Sequence, residues 1–374
     1  MTDTQNILQV LTFSAPMLVS FFCCLLMLFA HRKNQKHTKP KEVLLVIAVY
    51  LCSVFFWLSM VFYVALPVAF AYVQSFTYLS MLFSQVIIYH IAFLLTTTQK
   101  NERFSFVHYL IPLLIAGTLF IWSFFVPFDI QLSIVMNRSV VPEGYEAYTA
   151  LFTSKPLVFF LYNIICSCLC LFRIRNYRKT VINYSADEHR SSLRWFYVLC
   201  ILTLGTLPVT ILFFLLGSDA FMQSALTFMT LILTILQDVI LCYNLFAINY
   251  IIISPNDEEV ESSNEKQTGL SRNVIEQYFR EEKPYLNPEL KITDLIVVLN
   301  TNRTYLSAFI NQEYGMNFRR FINYWRLKEY EELGFESKGT HFAGKERAFK
   351  AGFSDYRGYV RAKKEYDKNP VSFK

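Results

Sequence analysis

Two sets of side chains carry the chemistry this chain can be asked to do, and they lie far apart in the sequence. In the first, Asp238 stands near the middle of a long apolar run, the deepest acidic or basic group in that part of the chain. An ionisable group in such surroundings is costly unless it faces polar partners or water. Gln85 and Asn163 fall at similar depth in other apolar runs, with His90 nearer one end, so the four are expected to meet. They form either a structural polar cluster or part of a signalling path. In the second set, Arg303, Thr304, Tyr305, Ser307 and Asn311, with Asn302 just before them, are expected to stand outward at the second of two short helices. Arg and Asn side chains on such a face can bond base edges bidentately in the major groove of a duplex. A small helical bundle can also carry such a face merely solvated.

Nothing resembling a catalytic constellation accompanies them. The chain has no P-loop, no HExxH and no Gly-rich nucleotide fingerprint, and its histidines (His31, His37, His90, His108, His189 and His341) are scattered. No enzyme activity and no cofactor are expected. Cys166, Cys168 and Cys170 alternate, but a two-residue step on a helix turns successive side chains to different faces, which favours packing over a metal site. All 8 cysteines fall in apolar runs, so no disulfide framework is implied.

The elements that must position these groups follow from composition. With 54% hydrophobic and 17% charged residues and a mean hydropathy of +0.32, most of the chain belongs in lipid. A bilayer core about 30 Å thick takes about 20 apolar residues per helix. The expected fold is all-α. Seven spans, near 7–30, 43–65, 74–96, 107–126, 156–172, 195–217 and 224–252, make up a transmembrane domain of residues 1–253. Val43 to Gln99 holds no Asp, Glu, Lys or Arg and is too long for one span, so it folds back near Pro67. The first span reads as an anchor rather than a cleaved leader, since Asp3 replaces the basic patch of a signal peptide.

Basic residues are retained on the cytoplasmic side of a span. The segments 31–42, 97–106 and 173–194 carry most of those in this region, against Arg138 and Lys155 in the alternate segments. The N-terminus is therefore expected outside and the C-terminal end inside. The outer segment from Pro127 to Lys155 reads as a solvated connector, with a ligand site as the other reading, and Asn137, Arg138 and Ser139 form a glycosylation sequon.

After Ile253 the composition turns polar and acidic, and residues 254–269 read as a linker. Helical periods return from residue 270. Val274, Ile275, Tyr278 and Phe279 make one stripe; Ile292, Leu295, Ile296 and Leu299 make another, with Thr293 as the expected N-cap. Asn300, Thr301 and Asn302 break the pattern. A further helix carries Leu306, Phe309 and Ile310 to a stop at Gly315, and Asn317 caps a piece with Phe318, Phe321, Ile322 and Trp325. Two short helices across a three-residue turn match a helix-turn-helix.

The segment from Tyr278 to Leu333 resembles the DNA-binding domain of the arabinose-regulator (AraC) family. The likeness runs through Tyr285 in "EKPYLNP", "TNRTYLSAFIN" at the recognition helix, "YGMNF" after it and Arg326 in "INYWR". Multi-span proteins with such a tail resemble a group of bacterial membrane-embedded transcriptional regulators, which implies an inner-membrane location. The family carries two helix-turn-helix units, and residues 270–374 are expected to hold both, the second (about 340–370) degenerate. There Ala348, Gly352, Phe353, Ser354, Tyr359, Arg361 and Ala362 match, while Arg347 and Lys363 stand where the family places buried apolar residues. Arg357, Arg361 and Lys364 are expected either to contact phosphates or to form a solvated basic tail.

The expected function is a membrane-bound transcriptional regulator. It couples a small-molecule or protein signal, sensed by the spans amid membrane lipid, to promoter DNA, with a homodimer setting half-site spacing. The alternative is a seven-span receptor or transporter whose basic tail binds a protein partner or the inner membrane surface.

Overall fold

The computed structural model describes residues 3–33, 40–99, 101–137, 141–206, 225–253, 270–336 and 344–369. Every regular element among them is helical; the one extended pairing is an isolated antiparallel bridge between Ser185 and Lys291. The chain divides into two compact units. The first takes residues 1–95, 103–174 and 194–248, and the second takes 96–102, 175–193 and 249–374.

In the first unit, five helices are long and apolar enough to cross a membrane: Gln9–Arg32, Glu42–Ala65, Pro67–Thr96, Lys155–Val181 and Thr227–Phe246. The count reaches six if Val107–Ser123 and Phe128–Met136, bent by 120° at their junction, make one span. This is a membrane protein by that measure. Phe22 (60% exposed) and Phe29 (62%) stand outward on the first helix, a placement that would be costly in water and is favourable against lipid. Seven spans are not reached among the described residues. The expected sixth, near 195–217, is described only as the helix Arg194–Gly205, and the rest of it, like the start of the seventh, lies outside the described residues. The reversal near Pro67 is tighter than expected. Leu66 alone separates the two helices, so the third begins at Pro67 and not near 74. Proline at a first helical position lacks only an N–H that would have had no partner there.

Two groups of helices pack within this unit. Asp3–Lys33, Pro40–Ala65 and Ala225–Phe246 meet around Phe13, Trp57 and Leu231. The Pro67–Thr96 and Val107–Ser123 helices form the second group with the outer segment. That segment is no solvated connector. It folds into the helices Phe128–Met136 and Glu146–Thr153, and buries Ile134, Val135, Tyr148 and Phe152. Their apolar residues recur at helical spacing, which gives each short helix a face to bury. Of the sequon, Arg138 and Ser139 lie outside the described residues, as does the linker at 254–269.

The second unit has its own core. Ser271 caps the helix Arg272–Glu281, whose Ile275 and Phe279 are buried while Val274 is exposed. Phe279, Tyr285, Phe321 and Trp325 then stack, with ring centroids 5.0 to 6.2 Å apart between Phe279 and the other three. Burying each such side chain contributes about 1.5–3 kcal/mol. Tyr285, from the "EKPYLNP" run, is pinned by its hydroxyl, which donates to Glu329 Oε2 at 2.9 Å, while Lys283 Nζ approaches the same carboxylate at 2.9 Å. The helices Gly344–Lys350 and Tyr356–Lys368 close a smaller cluster of Leu327, Tyr330, Ala348, Ala351, Phe353, Tyr359 and Ala362.

Candidate nucleic-acid interface

The helix Ile292–Val298 and the helix Arg303–Tyr314 are the pair whose geometry bears on base reading. Ile292, Leu295 and Ile296 face the core from one, Leu306 and Ile310 from the other. Thr293 is not the cap of the first. The helix starts one residue earlier, and the Asp294 carboxylate accepts from the Lys291 backbone N–H at 2.8 Å. Asn300 takes φ +46°, the left-handed turn that lets the chain reverse, and Asn302 then caps the second helix by accepting from Tyr305 N at 2.7 Å. At the other end Gly315, at φ +65°, stops it, and Asn317 Oδ1 accepts from Arg320 N at 3.0 Å to start the Phe318–Glu336 helix.

Those caps fix what the helix can present. Thr304 and Asn311 are exposed, Tyr305 and Ser307 half-buried. Asn302 has its side-chain oxygen committed to the cap, and Asn311 donates to Ser307 O at 2.9 Å. Arg303 is half-buried with its guanidinium carbon 5.3 Å from the Tyr184 ring centroid, a cation–π contact. On the last helix Arg357 and Lys364 are exposed, whereas Arg361 pairs with Glu188 at 2.8 Å. The two charges that stand in apolar places of the second half are accommodated differently, Arg347 keeping its Nε enclosed without a hydrogen bond. Lys363 is exposed, and Arg347 lies flat over Tyr330, 4.0 Å from its centroid, donating to its hydroxyl at 2.9 Å.

Tyr184 and Glu188 belong to a segment that the residue pattern marks only as a basic loop between two spans. Residues 175–193 cluster with the second unit, whereas the residue pattern places them within the 1–253 stretch. The first N–H groups of a helix have no partner within it. This loop supplies partners to two helices: Tyr184 O accepts from Ile292 N at 2.9 Å and Ile182 O from Arg319 N at 3.1 Å. Arg319, pushed down from its ordinary range by burial, donates to Ser185 O at 3.1 Å and Ser191 Oγ at 2.8 Å. Arg326, 2% exposed, donates to Tyr285 O and Asn287 O, each at 2.8 Å, and to Ala186 O at 3.4 Å. Loss of solvent pushes its pKa down to about 10, still charged at neutral pH. The signal that marks this loop was present: Asp187 and Glu188 are its only acids, set among Arg178, Lys179, Arg190 and Arg194.

The four polar residues of the spans do not assemble as expected. Asp238 Oδ2 accepts from Ser20 Oγ at 2.5 Å, Ser20 lies 2.8 Å from Ser53 Oγ, and Tyr50 donates to the Asp238 carbonyl at 2.9 Å. These partners come from the first two helices. His90 Nδ1 instead meets Tyr109 OH at 2.8 Å and stacks on Phe104 at 4.0 Å, Asn163 is buried, and Gln85 is half-buried. Spacing gave depth but not facing, and Asp238 bonds Ser20 and Tyr50 in place of the predicted partners. Asp238→Ala is expected to lower the melting temperature of the detergent-solubilised chain, removing about 1–2 kcal/mol, and Asp238→Asn, which can still accept from Ser20, to retain most of it. Equal melting of all three would show that the bond holds nothing together. The cysteines are free, and no group of His, Cys, Asp and Glu among the described residues could hold a metal.

No protein-family model matches this chain, and no curated protein or solved structure is similar to it.

Proposed function

We propose that this chain is a membrane-bound transcriptional regulator, in which seven spans respond to a signal and the C-terminal helices read promoter DNA. The observation that carries the reading is the Arg303–Tyr314 helix. It is capped at both ends, packed on one side through Leu306 and Ile310, and open on the other at Thr304 and Asn311. That is the form of a recognition helix, with the Ile292–Val298 helix before it as the scaffold. The likeness of this stretch to the arabinose-regulator family supports the same reading, and the helices at 344–350 and 356–368 stand as its second helix-turn-helix. The excess of Lys and Arg in segments 31–42, 97–106 and 173–194 supports a cytoplasmic C-terminus, the side on which a bacterial chromosome lies.

The test is base preference. With the full chain in lipid nanodiscs, Arg303→Ala is expected to flatten preference at one or two positions of a selected duplex, a loss of about 1–3 kcal/mol of discrimination, while weakening binding to unrelated duplexes far less. A uniform loss across all sequences would make Arg303 a phosphate contact, and an unchanged preference would remove it from the interface.

A further inference from the structure

We propose that residues 182–191 are an intramolecular clamp that keeps Arg303 and Arg361 from DNA until the helices that flank this loop in the chain shift. The inference rests on the DNA-reading function above and gives that site its regulation. One short segment touches both halves of the reader. Tyr184 lies under Arg303 of the first helix pair, and Arg190 meets Glu289 just before that pair at 2.5 Å. Glu188 holds Arg361 of the last helix at 2.8 Å, and Asp187 Oδ1 accepts from Ser354 Oγ at 3.3 Å.

The contacts fall into two kinds. Ser185, Asp187 and Ser191 are buried, and main-chain bonds to Leu290, Ile292 and Arg319 anchor the segment. By contrast, Arg361 and Glu188 keep 31% and 23% of their side-chain surface exposed, and although the Arg361 Nε that meets Glu188 is enclosed, the pair is held less tightly than the buried anchors. A carboxylate on an arginine occupies the place that a phosphate oxygen would take. DNA and the clamp therefore compete for the same guanidinium, and any shift that favours one disfavours the other. The loop's ends run into the helices Lys155–Val181 and Arg194–Gly205, so movement of those helices is transmitted to it through the chain itself.

The experiment uses the full chain in nanodiscs and duplexes recovered from a random-sequence pool by the wild type. Glu188→Gln removes the charge and keeps the shape. Its affinity for those duplexes is expected to rise about twofold to fivefold, the scale of a partly exposed ion pair. Hydrogen exchange at residues 184–191 is expected to quicken when duplex is added. Equal or weaker binding by Glu188→Gln, with the wild type still binding, would overturn the clamp and leave the DNA reader standing, as would exchange that duplex leaves unchanged. Recovery of no duplex by either protein would overturn the reader, and the clamp with it.

Discussion

Replacing Arg326 by Ala is expected to unfold the C-terminal unit at temperatures where the wild type is intact. The side chain is almost fully enclosed, and its guanidinium holds three main-chain carbonyls, those of Tyr285, Asn287 and Ala186. Removing it strands these acceptors in a place water does not reach, at about 1–3 kcal/mol for each poorly satisfied group. A total loss of about 3–5 kcal/mol is a large part of the 5–15 kcal/mol by which a typical domain is stable. Arg326→Lys keeps the charge but not the fork, so its loss is expected to be smaller yet still measurable. Limited proteolysis of the full-length chain against temperature reads the effect, with cleavage between 270 and 369 reporting the unit. A wild-type cleavage midpoint for Arg326→Ala would mean that the three bonds are not made.

The second large effect is expected at Gly352. Its φ of +90° lies where side chains other than glycine are strained, and a Cβ there would run into the Tyr285 carbonyl and the Leu286 backbone. Neither neighbour is a flexible side chain that can swing away. Gly352→Ala is therefore expected to lose about 2–4 kcal/mol from backbone strain and overpacking together. The loss should be local. Hydrogen exchange is expected to quicken across residues 344–368 while residues 303–314 keep their protection, because the Arg303–Tyr314 helix packs through Leu306 and Ile310 and not through the later pair. Uniform quickening across the unit would show that the two halves unfold as one body.

Much of the C-terminal unit was legible because its signals are local. Asn302, Gly315 and Asn317 mark helix ends by side-chain and backbone chemistry that a few adjacent residues decide. The apolar residues Ile292, Leu295, Ile296, Leu306 and Ile310 fall where a period of 3.6 places them, and all are buried. Thr293 misled because the helix begins at Ile292, where Asp294 reaches back from the first turn to accept from the Lys291 N–H. Arg326 was visible only as a matched letter in a motif, and its role as a bracket between segments depends on Ala186, 140 residues away.

What did not show in the sequence is what depends on distant pairing. The loop at 175–193 joins the C-terminal unit through backbone bonds as well as through Asp187, Glu188 and Arg190, and its four Lys and Arg read first as a topology signal. Asp238 was found by its rarity in an apolar run, yet its partners Ser20 and Tyr50 were not, since serine and tyrosine in a span are common and the faces of different helices cannot be aligned from spacing. The outer segment hid its helices behind Pro127, Pro142 and Gly144, which punctuate it like a loop and in fact bound two short helices.

Sequence-selective recognition of DNA by the intact chain is the claim on which the functional account stands. The direct measurement is selection from a random duplex pool by the full-length protein in nanodiscs at near-physiological salt, followed by sequencing of the bound fraction. The account predicts enrichment of a defined motif, lost when Arg303 and Asn311 are both replaced by Ala. A bound fraction with the composition of the starting pool would contradict it and leave the basic surface to a different partner.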